Sequence, residues 1–321
     1  MKTPDKSMPA EVSVVLCTRN GLSRGFLHAA MKSVCEQTAP PSEIILVDDG
    51  STDGTASAIR AAYPGVTVVA NDGAGLAAAR NTGIQRASSP WIAFMDDDDV
   101  WSREKLAEQM GQIATSAEPE STIWASRTAI IKNSDSAPVP VSTPVQFARW
   151  PACLLGCPVQ QSGVLFSRQL FRQMGPLNED VVSGATYEYW IRCLAAGTKV
   201  EYSQKILLFH RIHHDQMTSP SRLLAIDLTF ENFLVPYFKS LAPPLESCLR
   251  TARLLLALRQ LAVHSGFRAA RRLWASTLLR PVHLQLRTLT FFVLDSVGSR
   301  SPRFAARWLR DLAVRILLEE L

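Results

Sequence analysis

The chain has 321 residues, 47% of them hydrophobic and 20% charged, with a net charge of +5. That is ordinary for a globular protein and leaves ample core for one large or two modest domains. No apolar run reaches the ~18 residues that a membrane-spanning helix needs, and residues 1–11 are too polar to be a signal peptide.

The charge is unevenly placed. From Ser221 onward, 14 Arg and one Lys stand against seven acids, a net of +8, so the remainder carries −3 of the +5 total. Cys17, Cys35, Cys153, Cys157, Cys193 and Cys248 are scattered. Cys153 and Cys157 lack a second ligand pair for zinc, and free thiols in a reducing cytoplasm are expected.

In chain order, Val12 to Leu16 predicts a strand, the polar Thr18, Arg19 and Asn20 follow its carboxyl end, and a helix covers 23–35. A second strand, 43–47, ends at Asp48 and Asp49, with Ser51 or Asp53 able to cap the helix that runs to about 63. A third strand, 66–69, leads into the Gly- and Asn-rich loop 71–75, a helix over 76–86 and a strand ending at Met95. Strict alternation of helices with fully apolar strands means an α/β fold with a parallel sheet covered by helices. In such sheets ligands bind at the carboxyl ends of the strands, where all four polar clusters fall.

The last cluster is Asp96-Asp97-Asp98-Asp99. Adjacent carboxylates resist ionising together, so a divalent cation would remove the conflict. Asp96 and Asp98 fall on one side of an extended chain, and hard oxygen ligands suit Mg²⁺ or Mn²⁺ that also grips a phosphate. The competing reading is a solvated acidic loop capping a helix near Ser102.

Beyond Trp101 the expected elements are a helix over 103–113, a strand over 123–131, a Pro- and Ser-rich loop over 134–151, a strand over 162–166, and helices over 168–174 and 186–196. Two short strands near Val200 and over 206–210 follow. After residue 221, apolar residues at helical spacing with Arg opposite predict amphipathic helices fit to lie on anionic lipid or to pack on protein.

Four stretches carry a resemblance. They are Val-Ser-Val-Val-Leu-Cys-Thr-Arg-Asn from Val12, Ile-Ile-Leu-Val-Asp-Asp-Gly-Ser-Thr-Asp-Gly-Thr from Ile44, Gly-Leu-Ala-Ala-Ala-Arg-Asn-Thr-Gly from Gly75 and Ile-Ala-Phe-Met-Asp-Asp-Asp-Asp-Val-Trp from Ile92. In this order they resemble the family-2 glycosyltransferases over roughly residues 11–218. The resemblance implies a GT-A, Rossmann-like fold over 11–220, with a nucleotide-binding half (11–101), an acceptor half (102–220) and a basic helical segment (221–321) outside it. It implies an inverting, metal-dependent transfer from a nucleotide-diphosphate sugar to a glycan, lipid-linked or other acceptor hydroxyl, in cell-surface polysaccharide synthesis. The expected place is the cytoplasm, peripheral at the inner face of the plasma membrane, with no nucleic-acid partner. Thr18, Asn20, Asp48, Asp49 and Arg80 would line the nucleotide site. Asp96 and Asp98 match the Asp-x-Asp pair that holds ribose and metal, with Mg²⁺ or Mn²⁺ as cofactor. The run from Phe209 to His213 resembles the Arg-x-His element, which puts Arg211 on the phosphates and His213 near the metal.

One departure matters. Where the family carries Ser-Gly-Glu-Asp, this chain has Ser183-Gly184-Ala185-Thr186. A hydroxyl cannot serve as the general base at neutral pH. Glu188 is the nearest remaining acid, provided the turn it sits on is not helical, with Glu179 and Asp180 behind it. The alternative is a nucleotide-sugar-binding partner protein that has lost catalysis.

Overall fold

The structure is a computed structural model that describes residues 10–132, 137–141, 143, 145–181, 184–213, 216, 236, 237 and 240. The expected amphipathic helices of residues 221–321 thus lie outside the described residues. Residues up to Cys153, with Cys157 to His213, group as one compact unit.

The first half alternates as expected. It runs β1 (Ala10–Thr18), α1 (Gly21–Arg24), α2 (Leu27–Cys35), β2 (Pro41–Asp48), α3 (Thr55–Ala62), β3 (Thr67–Ala70), α4 (Gly75–Arg86) and β4 (Trp91–Asp96). The single helix expected over 23–35 is two, because Gly25 adopts φ +75° between α1 and α2. The second half comprises β5 (Val100–Trp101), α5 (Lys105–Thr115), β6 (Thr122–Ile131), β7 (Val139–Pro140), β8 (Leu165–Ser167), α6 (Arg168–Met174), α7 (Ala185–Ala195) and β9 (Lys199–Arg211). The two strands expected around Val200 and 206–210 are one long strand, β9, whose register against β6 slips around Arg127. The strand expected from 162 starts at Leu165, after a tight turn over 161–163.

The sheet order is β3-β2-β1-β4-β8-β6-β9-β5, with β7 on β6. Pairing is parallel from β3 to β4 and mixed beyond, since β8 runs antiparallel to both β4 and β6. Parallel neighbours align their carboxyl ends: Thr18 lies beside Asp48, and Cys17 beside Asp96. The chain proceeds outward from β1 to β2 and β3, then returns to place β4 on β1's other side. The crevice above β1 and β4 is therefore the topological switch point, where such folds bind ligands.

Packing holds this edge rigid. Strands β1 and β4 are buried along nearly their whole length. α4 lies close on the sheet because a Cβ at Gly83 would meet side-chain atoms of Val15, and Val47 Cγ2 at 3.1 Å. At the opposite edge the Glu43 carboxylate accepts hydrogen bonds from Ser13 Oγ (2.5 Å) and from Ser88 N (2.7 Å) and Ser89 N (3.2 Å), fastening β2 to β1 and to the start of β4.

Lys105 is fully buried in α5. Its Nζ donates to Gln109 Oε1 at 2.8 Å and sits 3.9 Å from the Trp101 ring centroid, both uncharged partners. Burial therefore drives its pKa well below the ordinary lysine value. The unfolded chain then binds the extra proton below roughly pH 10, so stability rises with pH toward that point and is reduced at neutrality. Lys105→Met is predicted to raise stability by about 1–3 kcal/mol at pH 7 and to flatten the pH dependence toward pH 10. Urea unfolding of both proteins across this range checks it; a less stable variant with an unchanged pH profile would show that the ammonium form is the one the core holds.

Candidate active site

The β1–α1 turn is built to meet the β2–α3 turn. Asn20 takes a left-handed backbone (φ +53°), which Asn tolerates better than most residues. Its amide donates to Ser51 Oγ at 2.8 Å, and its Oδ1 accepts from Thr52 N at 2.8 Å. Asp48 Oδ1 accepts from Ser51 N at 3.0 Å. Asp49 Oδ1 accepts from Asn71 Nδ2 at 2.7 Å and Gly75 N at 3.1 Å, which ties the loop after β3 into the same rim. The four clusters read at the strand ends thus meet at one edge. Asn20 and Thr18 serve first to join it: Thr18, which is buried, gives its hydroxyl hydrogen to Asp97 Oδ2.

Residues 96–99 form a turn, with Asp99 N donating to Asp96 O at 3.4 Å. The turn is fixed at both ends by one serine. Ser162 Oγ accepts from Asp96 N at 3.1 Å, and Ser162 O accepts from Trp101 Nε1 at 2.6 Å. Because the chain turns here, Asp96 and Asp98 do not share one side as extended chain would have it. Asp96 Oδ1 pairs with Arg80 Nη2 at 2.6 Å, whereas Asp98 Oδ2 lies 3.0 Å from His213 Nε2. Asp97 turns inward to Arg24 and Thr18. Asp99 Oδ1 accepts from Arg211 N at 3.0 Å and lies 2.9 Å from His210 Nδ1. A solvated helix-capping loop is therefore not what this stretch forms.

Electrostatics reflect the crowding. Burial pushes the Asp97 carboxyl up to about 7 against the pull of Arg24 and Thr18. Burial and the charges of Asp99 and Asp96 raise Asp98, partly offset by the hydrogen bond to His213. Burial lowers His210, but its bond to Asp99 outweighs that and lifts it to about 9.

Arg211 Nε donates to Asp98 O at 2.9 Å, so the closing end of β9 is laced to the acidic turn by both Arg211 and His213. Asp98 and His213 supply an oxygen and a nitrogen side by side, and His213 Nδ1 is buried without a hydrogen-bond partner. Among the described residues no three His, Cys, Asp or Glu side chains converge into a closed metal cage. This donor set fits a hard cation whose remaining ligands come from a phosphate, and not an all-protein site.

Arg80 is buried. Beyond Asp96 it reaches Thr186 Oγ1 at 3.3 Å, and its Cζ lies 5.3 Å from the Phe94 ring centroid. Thr186, on the first turn of α7, thus faces the acidic turn through Arg80. α7 is anchored by Trp190, whose Nε1 donates to Gln161 Oε1 at 2.7 Å and whose ring meets Phe166 edge-on at 5.5 Å.

The structure corrects the reading of Glu188. α7 is helical from Ala185, with Glu188 N bonded to Gly184 O at 2.9 Å, so residues 186 and 188 point to different faces. Glu188 forms a two-point pair with Arg192, at 2.9 Å and 3.2 Å. Arg192 in turn donates to Pro176 O at 2.8 Å and to Met174 O at 2.5 Å. Glu179 accepts from Asn81 Nδ2 at 2.8 Å. Neither acid is brought to the 96–99 turn by these bonds. The sequence reading does not single out Arg24 and Phe26, which carry no motif and reach the site only through the fold.

Glu188→Gln is predicted to lower stability by about 1–3 kcal/mol, the range for a hydrogen bond to a charged group, and to leave nucleotide binding unchanged. Denaturant unfolding and UDP titration check this. A fall in turnover of roughly 10²–10⁴-fold at unchanged stability would restore Glu188 as the base.

Comparison with known proteins agrees with this geometry. The profile of glycosyl transferase family 2 matches residues 13–160. The UDP-Glc:alpha-D-GlcNAc-diphosphoundecaprenol beta-1,3-glucosyltransferase WfaP of Escherichia coli is 25% identical over 206 residues, covering 63% of this chain and 77% of that protein. WfgD of Escherichia coli, named for the same activity, is 33% identical over 104 residues, covering 32% of this chain and 40% of that protein. Relatives more than 30% identical are matched over 40% of their length or less. The mannosyltransferase PcManGT of Pyrobaculum calidifontis, solved with GDP-Man and Mn²⁺, superposes with a TM-score of 0.59 at 17% identity, covering 99% of this chain and 90% of that one, which shows the shared fold. Over residues 13–160 the chain is similar to glycosyl transferase family 2, and its sheet shares the fold of the solved glycosyltransferases.

Proposed function

We propose that this chain transfers a sugar, with inversion, from a nucleotide-diphosphate sugar to an acceptor hydroxyl on a glycan or lipid-linked carrier in cell-surface polysaccharide synthesis. The observation that carries the reading is the acidic turn at the switch point, with Asp98, His213 and Arg211 brought together on it. WfaP and WfgD, named for UDP-Glc and a diphosphoundecaprenol acceptor, support the donor and acceptor classes.

In this reading Asp49 receives the nucleoside on Oδ2, the oxygen outside its bonds to Asn71 and Gly75, with Asp48 and Asn20 shaping the rim. Asp98, with His213, would hold Mg²⁺ or Mn²⁺, Asp96 is turned to Arg80 on the ribose side, and Arg211 approaches the phosphates. The bound cation would supply charge stabilisation to the leaving diphosphate. Arg80 fixes Asp96 in direction by a charge-assisted bond. The acid of α7, Glu188, is paired with Arg192 and not with Arg80. Donor binding without transfer to any acceptor would favour the alternative, a nucleotide-sugar-binding partner protein.

The test is a donor screen with purified full-length chain, a panel of UDP- and GDP-sugars and Mn²⁺, following released nucleoside diphosphate. Turnover by wild type, its loss in EDTA with recovery on adding Mn²⁺ or Mg²⁺, and loss in Asp98→Asn with an unchanged melting temperature are expected. Full turnover in EDTA after exhaustive dialysis would refute the metal role.

We propose also that the basic segment 221–321 holds the protein peripherally at the cytoplasmic face of the membrane. The +8 excess beside Leu, Trp and Phe at helical spacing supports it, and among the described residues no helix is long and apolar enough to cross a bilayer. Flotation with liposomes is expected only when anionic lipid is included and the segment is present. Equal flotation with neutral lipid, or none, would count against it.

A further inference from the structure

We propose that Phe26 is a positioning residue for the closing segment 211–213, a role that rests on the metal and diphosphate reading above only for its chemical consequence. Phe26 follows Gly25, whose left-handed backbone turns the chain between α1 and α2. In the fold it belongs to neither the nucleotide rim nor the acidic turn. Its ring nevertheless meets both functional side chains of the closing segment. Arg211 Cζ lies 4.8 Å from the ring centroid, and the His213 ring lies 4.8 Å away, tilted 49°. Each of those side chains points its polar end at the same residue: Arg211 Nε to Asp98 O at 2.9 Å, and His213 Nε2 to Asp98 Oδ2 at 3.0 Å.

The segment is the last of the sheet, with Arg211 still in register with Ile131 of β6. β9 ends at Arg211, and the next backbone tie is Ile212 N to Ile131 O at 2.9 Å. A guanidinium and an imidazole on such a chain end have many rotamers. An aromatic face shared by both narrows them, through cation–π attraction for Arg211 and ring contact for His213. Two residues earlier, Arg24 grips Asp97. One short turn, Gly21 to Phe26, therefore holds the acidic turn by its charge and the closing segment by its ring. Gly21 allows this approach, because a Cβ there would meet Thr18 Oγ1, and Leu27 Cδ2 at 2.8 Å.

Three variants of the full-length chain test the assignment: Phe26→Ala, Phe26→Leu as a milder apolar change, and Phe26→Tyr as the conservative control. The readouts are Mn²⁺ retention in the presence of UDP or GDP, measured from the free-Mn²⁺ paramagnetic signal; hydrogen exchange of the backbone amides of residues 209–213; and melting temperature. Groups that orient metal ligands from behind are worth about 10–100-fold in affinity. Phe26→Ala is expected to weaken Mn²⁺ retention about tenfold or more and to speed exchange at the Arg211 and Ile212 amides. Its melting temperature should stay within a few degrees of wild type, Phe26→Leu should fall between, and Phe26→Tyr should match wild type. Unchanged exchange and retention in Phe26→Ala would overturn the proposal. So would parallel losses of melting temperature and retention that Phe26→Tyr fails to restore. If wild type itself retains no Mn²⁺ with either nucleotide, the metal reading fails, and faster exchange at 209–213 in Phe26→Ala still decides whether the ring positions the segment.

Discussion

Four consecutive carboxylates at the end of a buried strand are the constraint to which the rest of the site answers. Left alone they repel, and burial sharpens the conflict. The fold resolves it by giving each a different partner from a different element: Arg80 of α4 to Asp96, Arg24 of α1 to Asp97, His213 beyond β9 to Asp98, and His210 of β9 to Asp99. Elements distant in sequence are thereby drawn to one turn. Two of the partners are permanent cations, and the other two are histidines, residues that can also ligate a metal.

Much of the first half is legible in the sequence because apolar strands and polar strand ends follow from a parallel sheet covered on both faces. The register that sets Thr18 beside Asp48 and Cys17 beside Asp96 is a consequence of that pairing. The second half reads less well for physical reasons. Its sheet is mixed, and β5 is only two residues long and exists through pairing with β9. β9 itself is carried through a register slip by its pairing with β6, which local patterning does not encode. At the site, Asp96, Asp98, Arg211 and His213 were identified by motif, but not their directions. Extended-chain alternation puts Asp96 and Asp98 together, and the 96–99 turn separates them. Arg24 and Phe26 carry no signal at all, since their importance lies in contacts 73 and 187 positions away along the chain.

Helix α7 is where this chain departs from the motif pattern it otherwise resembles. Thr186 stands where the motif pattern has an acid, and Arg80 donates to its hydroxyl as well as to Asp96. Glu188, two residues on, stabilises the helix through Arg192 and the carbonyls of Met174 and Pro176. The acceptor side of the site is therefore less acidic than the motif pattern implies. The nucleotide side keeps its full set of polar groups.

The central claim is that the turn Asp96–Asp99 is where a donor's diphosphate and its cation sit. A crystal structure of the full-length chain soaked with UDP and Mn²⁺, with anomalous scattering used to locate the ion, tests it directly. The account predicts an anomalous peak coordinated by Asp98, adjacent to His213, with the diphosphate on its far side and the uracil ring on the Asp49 rim. Nucleotide bound at another edge of the sheet, or an ion that avoids Asp98, would contradict it.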